Sequence, residues 1–251
     1  MQLTFLGVGG AFTTMEYFQS NLLVTAGDGG RLLLDCGGDI RHSLAASIPA
    51  GSARDVDAVY VSHLHADHVG GLEWLAFSRY FGGGGKPLLY LHPDLRRPLW
   101  QHCLSGGLAV VQGNKLCLDD YFDCRPVENT FNWHGLRCTV VRLPHVVGSA
   151  ATLYSYGLMM ESGGRNLFFS SDTAFCPGLL LPHWQAADLI LQDCETSPSK
   201  TGVHCHYQDL LTLPASLRAK MWLYHYQPAS GLDAVADGFA GFARRGQVIR
   251  L

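Results

Sequence analysis

The sequence has no cluster of basic residues. Its 18 Lys and Arg face 21 Asp and Glu, for a formal charge of −3, and Arg41, Arg54, Arg79, Arg96, Arg97, Arg125 and Arg137 are scattered. A surface that grips large nucleic acid wants clustered Lys and Arg, so this class of partner is disfavoured. A small anionic substrate stays open, because bound cations can supply local positive charge. There is no CxxC pair among Cys36, Cys103, Cys117, Cys124, Cys138, Cys176, Cys194 and Cys205. That irregular spacing in a long apolar-rich chain predicts free, mostly buried thiols in a reducing compartment. No apolar stretch reaches membrane-spanning length. The opening MQLTFLGVGG has no basic region ahead of a long apolar run, so it does not read as a signal peptide. No low-complexity tail and no long linker divides the chain. We expect a cytoplasmic protein, away from membranes, with residues 1–251 in one domain.

What is present is a series of short apolar strands. The pattern predicts strands over 2–6, 20–25, 31–34, 57–62, 88–91, 137–143, 152–161, 165–170, 189–191 and 221–224, and an edge strand over 247–251. Helices are expected over 39–48 (stopped by Pro49), 71–80, 93–108, 207–219 and 228–243. The span 109–133 has no clear period. The run Gly82–Gly85 reads as a mobile loop or else a tight backbone crossing; as a loop it could form a lid or reach a partner subunit. At four places a short apolar strand is followed by a metal-type side chain: 59–63, 140–145, 167–172 and 221–225. Loops at strand ends are where a rigid sheet can hold a site open.

The densest of these is SHLHADHVGG, Ser62 to Gly71. In extended backbone His63 and His65 point the same way, and the turn that follows can bring Asp67 and His68 round to a second position. Imidazole nitrogens with carboxylate oxygens suit borderline metals such as Zn²⁺. Two ligand groups in one short segment suggest two ions.

HLHADH matches the HxHxDH signature of the metallo-β-lactamase fold superfamily, and the chain resembles that superfamily along nearly its whole length. The N-terminal strand and Gly turn, LLLDCG, His145 after a strand, SDT at 171–173 and the late His225 follow in the familiar order. The resemblance implies an α/β fold, a four-layered αββα sandwich with mixed sheets. It also implies two divalent metal ions, Zn²⁺ first and Mn²⁺ second. His63, His65 and His145 would hold one ion, Asp67, His68 and His225 the other, and Asp172 would bridge them. A hydroxide between the ions is the implied nucleophile.

The departures narrow the reaction. His65 stands where flavodiiron relatives usually carry an acidic ligand, and Asp172 where the true lactamases commonly carry a cysteine. SDTA at 171–174, DCET at 193–196 and HCHYQDL at 204–210 look most like the branch of tRNA 3′-processing endonucleases and small cyclic-nucleotide phosphodiesterases. There a histidine protonates the leaving oxygen. His204 is favoured for that role, with His206 as the other choice. Asp193 or Glu195 would fix a histidine tautomer. The candidate catalytic residues are therefore His204, His206 and Asp67, the last as a ligand of the second metal. Bacterial tRNA-processing forms carry a gripping arm between the segments matching His145 and Asp172. Here only residues 146–171 lie there, enough for one hairpin.

The expectation is a dinuclear metal-dependent phosphodiesterase acting on a cyclic nucleotide, with homodimerisation implied by the family. The base would stack on an exposed aromatic, Trp74, Phe77 or Tyr80. Lactone, ester or thioester hydrolysis and tRNA 3′-processing stand as alternatives, and a non-enzymatic metal-binding scaffold comes last.

Overall fold

The alternation of apolar residues sorts most of the chain into two sheets. The computed structural model describes residues 1–48, 51–228 and 231–250. The first sheet begins with β1 (Gln2–Phe5), β2 (Leu22–Thr25), β3 (Arg31–Leu34), β4 (Ala58–Val61) and β5 (Leu88–Leu91). A ribbon of β6 (Val110–Val111) and β7 (Asn114–Lys115) precedes β8 (Asp123–Pro126). The second sheet holds β9 (Thr130–Trp133), β10 (Leu136–Val147), β11 (Thr152–Ser162), β12 (Arg165–Phe169), β13 (Leu189–Asp193), β14 (Met221–Tyr224) and β15 (Gly241–Phe242). The last strand, β16 (Val248–Arg250), returns to the first sheet and pairs antiparallel with β1. The orders are β16-β1-β2-β3-β4-β5-β8 and β15-β14-β13-β12-β11-β10-β9. Each sheet mixes parallel and antiparallel pairs.

The helices are α1 (Ile40–Ser47), α2 (Ala66–Val69), α3 (Leu72–Gly82), α4 (Pro93–Pro98), α5 (Ser105–Leu108), α6 (Leu118–Tyr121), α7 (Pro177–Ala186), α8 (Tyr207–Leu210) and α9 (Ala215–Arg218). A π-helical stretch, Leu99–Leu104, joins α4 to α5. Period-two alternation explains the layering. In β12 and β13, Leu167, Phe169, Leu189 and Leu191 face the core shared with the first sheet. Phe168 and Ile190 point the other way, onto Leu180 and Trp184 of α7. Ile40 and Leu44 of α1 and Leu72, Leu75 and Ala76 of α3 cover the first sheet. β4 is buried at all four positions because it is covered on both faces. Full burial of each such Leu or Phe contributes roughly 1.5–3 kcal/mol. The result is the expected αββα sandwich.

Several expectations need correction. Residues 207–219 are two short helices, because Pro214 breaks the run and becomes the N-cap residue of α9. The expected helix over 228–243 is absent from its described part, which forms turns and then β15. Gly231, Gly238 and Gly241 sit there at positive φ (85°, 84° and 142°), a backbone that no helix continues through. α7 was not anticipated, because Pro177 and Pro182 masked it; Pro177 occupies its first turn, where no N–H is needed. Strand β10 runs on past Pro144 to Val147. α1 ends at Ser47, while Pro49, its expected stop, lies outside the described residues, as does residue 251 of the expected edge strand.

The Gly82–Gly85 run is not a free loop. Buried Arg79 donates from Nε to Gly85 O (3.0 Å), from Nη2 to Gly84 O (2.6 Å), and from Nη1 to Ala53 O (3.2 Å) and Val56 O (3.1 Å). Arg54 donates to the Gly82 carbonyl. Among the described residues, no helix is long and apolar enough to cross a membrane.

Candidate metal centre

Four strand ends converge at one edge of the sandwich. β4 delivers Ser62 and His63, and the turn into α2 delivers His65, Asp67 and His68. His145 sits where the β10–β11 register shifts between Pro144 and Val146, a bulge that re-aims the side chain. Asp172 follows β12 and His225 follows β14. The seam between the sheets is tied at this edge: the Tyr60 hydroxyl donates to Tyr156 O (2.9 Å) and Tyr156 N to Ser62 O (3.0 Å). Three non-glycine residues here adopt positive φ: Asp35 (62°), Ser171 (53°) and His225 (64°). Such backbone costs of order 1–3 kcal/mol and collects at functional sites.

Three groups that could hold a metal result, each with donor atoms within 4.8 Å of one another: His63, His65, His145 and Asp172; Asp67, His68, Asp172 and His225; and Asp172, Asp193, His204 and His225. The first two carry the ligands expected from the sequence, and Asp172 belongs to all three. Its Oδ2 lies 3.2 Å from His68 Nε2, 3.2 Å from His225 Nε2, 3.7 Å from His63 Nε2 and 3.9 Å from His145 Nε2. Donors about 2.1 Å from a tetrahedral ion stand roughly 3.4 Å apart, so these separations fit. So does the polar inventory: His63 Nε2, His68 Nε2 and Asp172 Oδ1 are buried without a hydrogen-bond partner. Buried polar atoms in that state are costly unless something coordinates them.

The ligand rings are oriented from behind. The Ser62 hydroxyl meets His63 Nδ1 at 3.1 Å, Asp35 Oδ2 meets His68 Nδ1 at 2.8 Å, and His145 Nδ1 donates to Val203 O at 2.8 Å. Each contact leaves Nε2 for the centre, the usual support behind a metal-binding histidine. Asp35 also accepts from Ser62 N and its hydroxyl, at 2.8 and 2.7 Å.

Burial, reinforced by the neighbouring His68, lowers the pKa of His63 well below that of a free imidazole. This keeps the ring neutral, as a metal ligand must be. Burial pushes Asp67 and Asp172 up, but the surrounding histidines outweigh it and hold both carboxyls well below the usual range.

A cavity of about 370 Å³ opens above these residues, bounded by His65, Asp67, Asp172, His204 and His225 and by the segments 10–13, 195–203 and 226–228. His204 Nδ1 lies 3.0 and 3.2 Å from the two oxygens of buried Asp193. Burial opposes the charged ring, but the Asp193 carboxylate prevails and raises the pKa to about 9. His206 has a different place. Its Nδ1 accepts from Gln208 N (3.2 Å) as the N-cap of α8, and its Nε2 donates to Ser197 O (3.0 Å). Both of its nitrogens are engaged by backbone, and it does not border the cavity. Glu195 holds no histidine: it accepts from Ser197 Oγ (2.7 Å), Thr201 N (3.0 Å) and Thr201 Oγ1 (3.0 Å). Those bonds pin the strap 196–203, whose Val203 carbonyl holds His145.

Trp74, Phe77 and Tyr80 do not reach the cavity. Trp74 and Phe77 pack on the core, and Tyr80 packs against Phe81 and Tyr121. The supporting roles of Asp35 and of the Glu195 strap were missed. Their only sequence signal is an acidic residue just past an apolar strand, in LLLDCG and LILQDCE.

The fold and this two-group centre define a class, the metallo-β-lactamase fold. The metallo-β-lactamase fold protein YhfI from Bacillus subtilis is similar over 99% of this chain and 98% of its own, with TM-score 0.74 and 19% identity. Zn²⁺-bound PqqB from Methylobacterium extorquens is similar over 100% of both chains, with TM-score 0.75 and 19% identity. Within that class the chain belongs to the anti-Pycsar protein Apyc1 family, whose model matches residues 1–249. The Apyc1 protein of Paenibacillus sp. (strain J14) is 37% identical, covering 100% of this chain and 99% of the relative. That of Bacillus phage vB_BveM-Goe7 is 32% identical, covering 100% and 98%.

Proposed function

We propose that this chain is a metal-dependent phosphodiesterase that hydrolyses a small cyclic nucleotide, with all 251 residues forming one domain. The observation that carries the reading is the pair of His/Asp groups sharing Asp172 beneath a cavity that also holds the Asp193–His204 pair. Membership of a family whose name marks it as anti-Pycsar agrees with it. His63, His65 and His145 would hold one divalent ion, Asp67, His68 and His225 the other, and Asp172 would be shared. When bound, such ions would neutralise phosphoryl oxygens and lower the pKa of a bound water. Zn²⁺ suits the nitrogen-rich set, with Mn²⁺ as the second choice.

The side chains do the rest. His204 stands beside Asp172 Oδ2 (4.0 Å) with Nδ1 turned to Asp193, which leaves Nε2 to face a leaving group. Asp193 fixes the ring and favours its protonated form, so His204 donates the proton to the departing ribose oxygen as general acid. His206 supports the strap and is not the donor. The 196–203 strap roofs the cavity and limits its size.

A small substrate agrees with the short path from His145 to Asp172, which is spent on β10, β11, β12 and two tight turns and leaves no arm to hold tRNA. Eight unpaired cysteines agree with a reducing, cytoplasmic setting. Homodimerisation carries over from the superfamily resemblance.

The test is a substrate panel given to the protein loaded with Zn²⁺ or Mn²⁺. It contains 3′,5′- and 2′,3′-cyclic nucleotides, an aryl phosphodiester, a lactone and a precursor tRNA. Turnover of cyclic nucleotides is expected. Lactone turnover without any phosphodiester turnover would sink the reading.

A further inference from the structure

One wall of the cavity carries an aromatic side chain that the hydrolytic centre does not use. It comes from the loop after β1, where Gly10, Ala11, Phe12 and Thr13 border the opening. Phe12 is completely exposed, at 102% of its reference area. The other aromatic carbocycle at the cavity is Tyr226, and it is committed elsewhere. Its hydroxyl donates to Ala243 O (2.7 Å), and its ring packs against Tyr17 and Phe242. Phe12 is therefore the aromatic face left open to a ligand.

The loop is held in place. Gly9 N donates to Phe18 O (2.8 Å), Thr13 N to Gly10 O (3.1 Å), Phe18 N to Thr14 O (2.9 Å) and Ser20 N to Gly9 O (3.0 Å). Arg245 Nη1 donates to Met15 O (2.9 Å), and its guanidinium lies over the Phe18 ring. At its start the loop backbone runs against the metal centre: a Cβ on Gly10 would meet His225 Cε1 at 3.0 Å. Two residues span at most about 7 Å. Phe12 thus stands within one sugar's reach of the place where a phosphate would sit.

We infer that Phe12 is the nucleobase platform of this site, stacking the base of a cyclic nucleotide whose phosphate lies at the His/Asp centre. This inference rests on the phosphodiesterase reading above. Stacking on an exposed aromatic accepts every base because every base has a π-face. It selects a nucleoside over a baseless sugar phosphate. An anchored loop also loses little freedom when the base arrives. The base-stacking role expected of Trp74, Phe77 or Tyr80 falls to a residue 50 positions upstream of the start of the His-rich motif at Ser62.

The experiment compares metal-loaded wild type, Phe12→Ala and Phe12→Trp on a 3′,5′-cyclic nucleotide and on ribose 3′,5′-cyclic phosphate, which has no base. Phe12→Ala is expected to raise KM about tenfold for the nucleotide and leave kcat within about twofold. Phe12→Trp is expected to restore KM, and the baseless substrate to treat all three proteins alike. An unchanged KM for the nucleotide, or an equal rise for the baseless substrate, would overturn the inference. Calorimetric titration with a hydrolysis-resistant phosphorothioate cyclic nucleotide reads the same contact without turnover, and equal affinity of wild type and Phe12→Ala would overturn it as well. Failure of the wild type to hydrolyse either cyclic phosphate refutes the phosphodiesterase reading instead, while the titration still decides the stacking.

Discussion

Replacing Arg79 with Met should destabilise the protein without touching its chemistry. The Met side chain keeps much of the apolar stem of Arg79, which is 8% exposed, and removes the guanidinium. Four backbone carbonyls lose a charged donor: Ala53, Val56, Gly84 and Gly85. The two glycine carbonyls lie on an exposed run and can turn to water. Those of Ala53 and Val56 receive hydrogen bonds from Arg79 inside the fold. Ala53 O keeps a second donor, Val56 N at 3.4 Å, so the full penalty falls on Val56 O. A buried acceptor left without a donor costs about 1–3 kcal/mol, which predicts a loss of about 2 kcal/mol. A domain of this size loses about 2–4 °C per kcal/mol, which gives a fall in Tm of roughly 4–8 °C. Differential scanning fluorimetry at fixed metal concentration reads the shift. Steady-state kinetics well below the transition should show kcat and KM within about twofold of wild type, because residues 82–85 do not border the cavity. The opposite pattern, an unchanged Tm with altered kcat or KM, would refute this account and return the glycine run to the role of a lid.

Asp193→Asn removes the carboxylate behind His204. It should lower kcat on a cyclic nucleotide about 10²-fold but leave an aryl phosphodiester, whose leaving group needs no proton, within a few-fold; equal losses on both would mean that Asp193 acts through His225, whose Nδ1 lies 3.5 Å from it, or through the fold, and not through proton donation by His204. His206→Ala should cost about 1–2 kcal/mol through the lost cap and the lost bond to Ser197, with kcat preserved below the transition. A 10²-fold loss of kcat there would make His206 the proton donor. Dialysis against a chelator should lower Tm, and Zn²⁺ or Mn²⁺ at a hundredfold excess over Kd should restore about 2.7 kcal/mol for each site that binds only the folded chain; a Tm indifferent to metal would contradict the ligand assignment.

The parts of the centre that were legible in the sequence share one property: each lies just past, or near the end of, a strand. His63, Asp172 and His225 could be read because short, largely buried apolar strands are conspicuous, and the side chain that follows is then forced to a sheet edge; His145 is read instead from the Pro144 beside it near the end of the long, alternating strand β10. The supports behind them were harder. Asp35 reaches His68 and Ser62 across 33 and 27 residues, and a carboxylate carries no mark of its partner. His204 and His206 are two residues apart with the same side chain, and only their partners, Asp193 for one and backbone for the other, separate them. The errors have local physical causes. Glycines at positive φ defeat the helical period over 231–241, and two prolines conceal α7. The aromatic trio of α3 belongs to a helix whose apolar face is needed by the core, whereas Phe12 lies in a turn where no period exists to be read.

The seam between the sheets has a further consequence. The first ligand segment, residues 63–68, hangs from the first sheet, while His145, Asp172 and His225 hang from the second. Under the proposed assignment each ion is a rivet through both halves of the chain, and neither half alone offers a closed set of donors. Metal capture would then be a late event in maturation, reporting that residues more than 150 positions apart, such as Asp67 and His225, have already met. A nascent or partly unfolded chain would hold its ions loosely, which keeps hydrolytic power confined to the finished molecule.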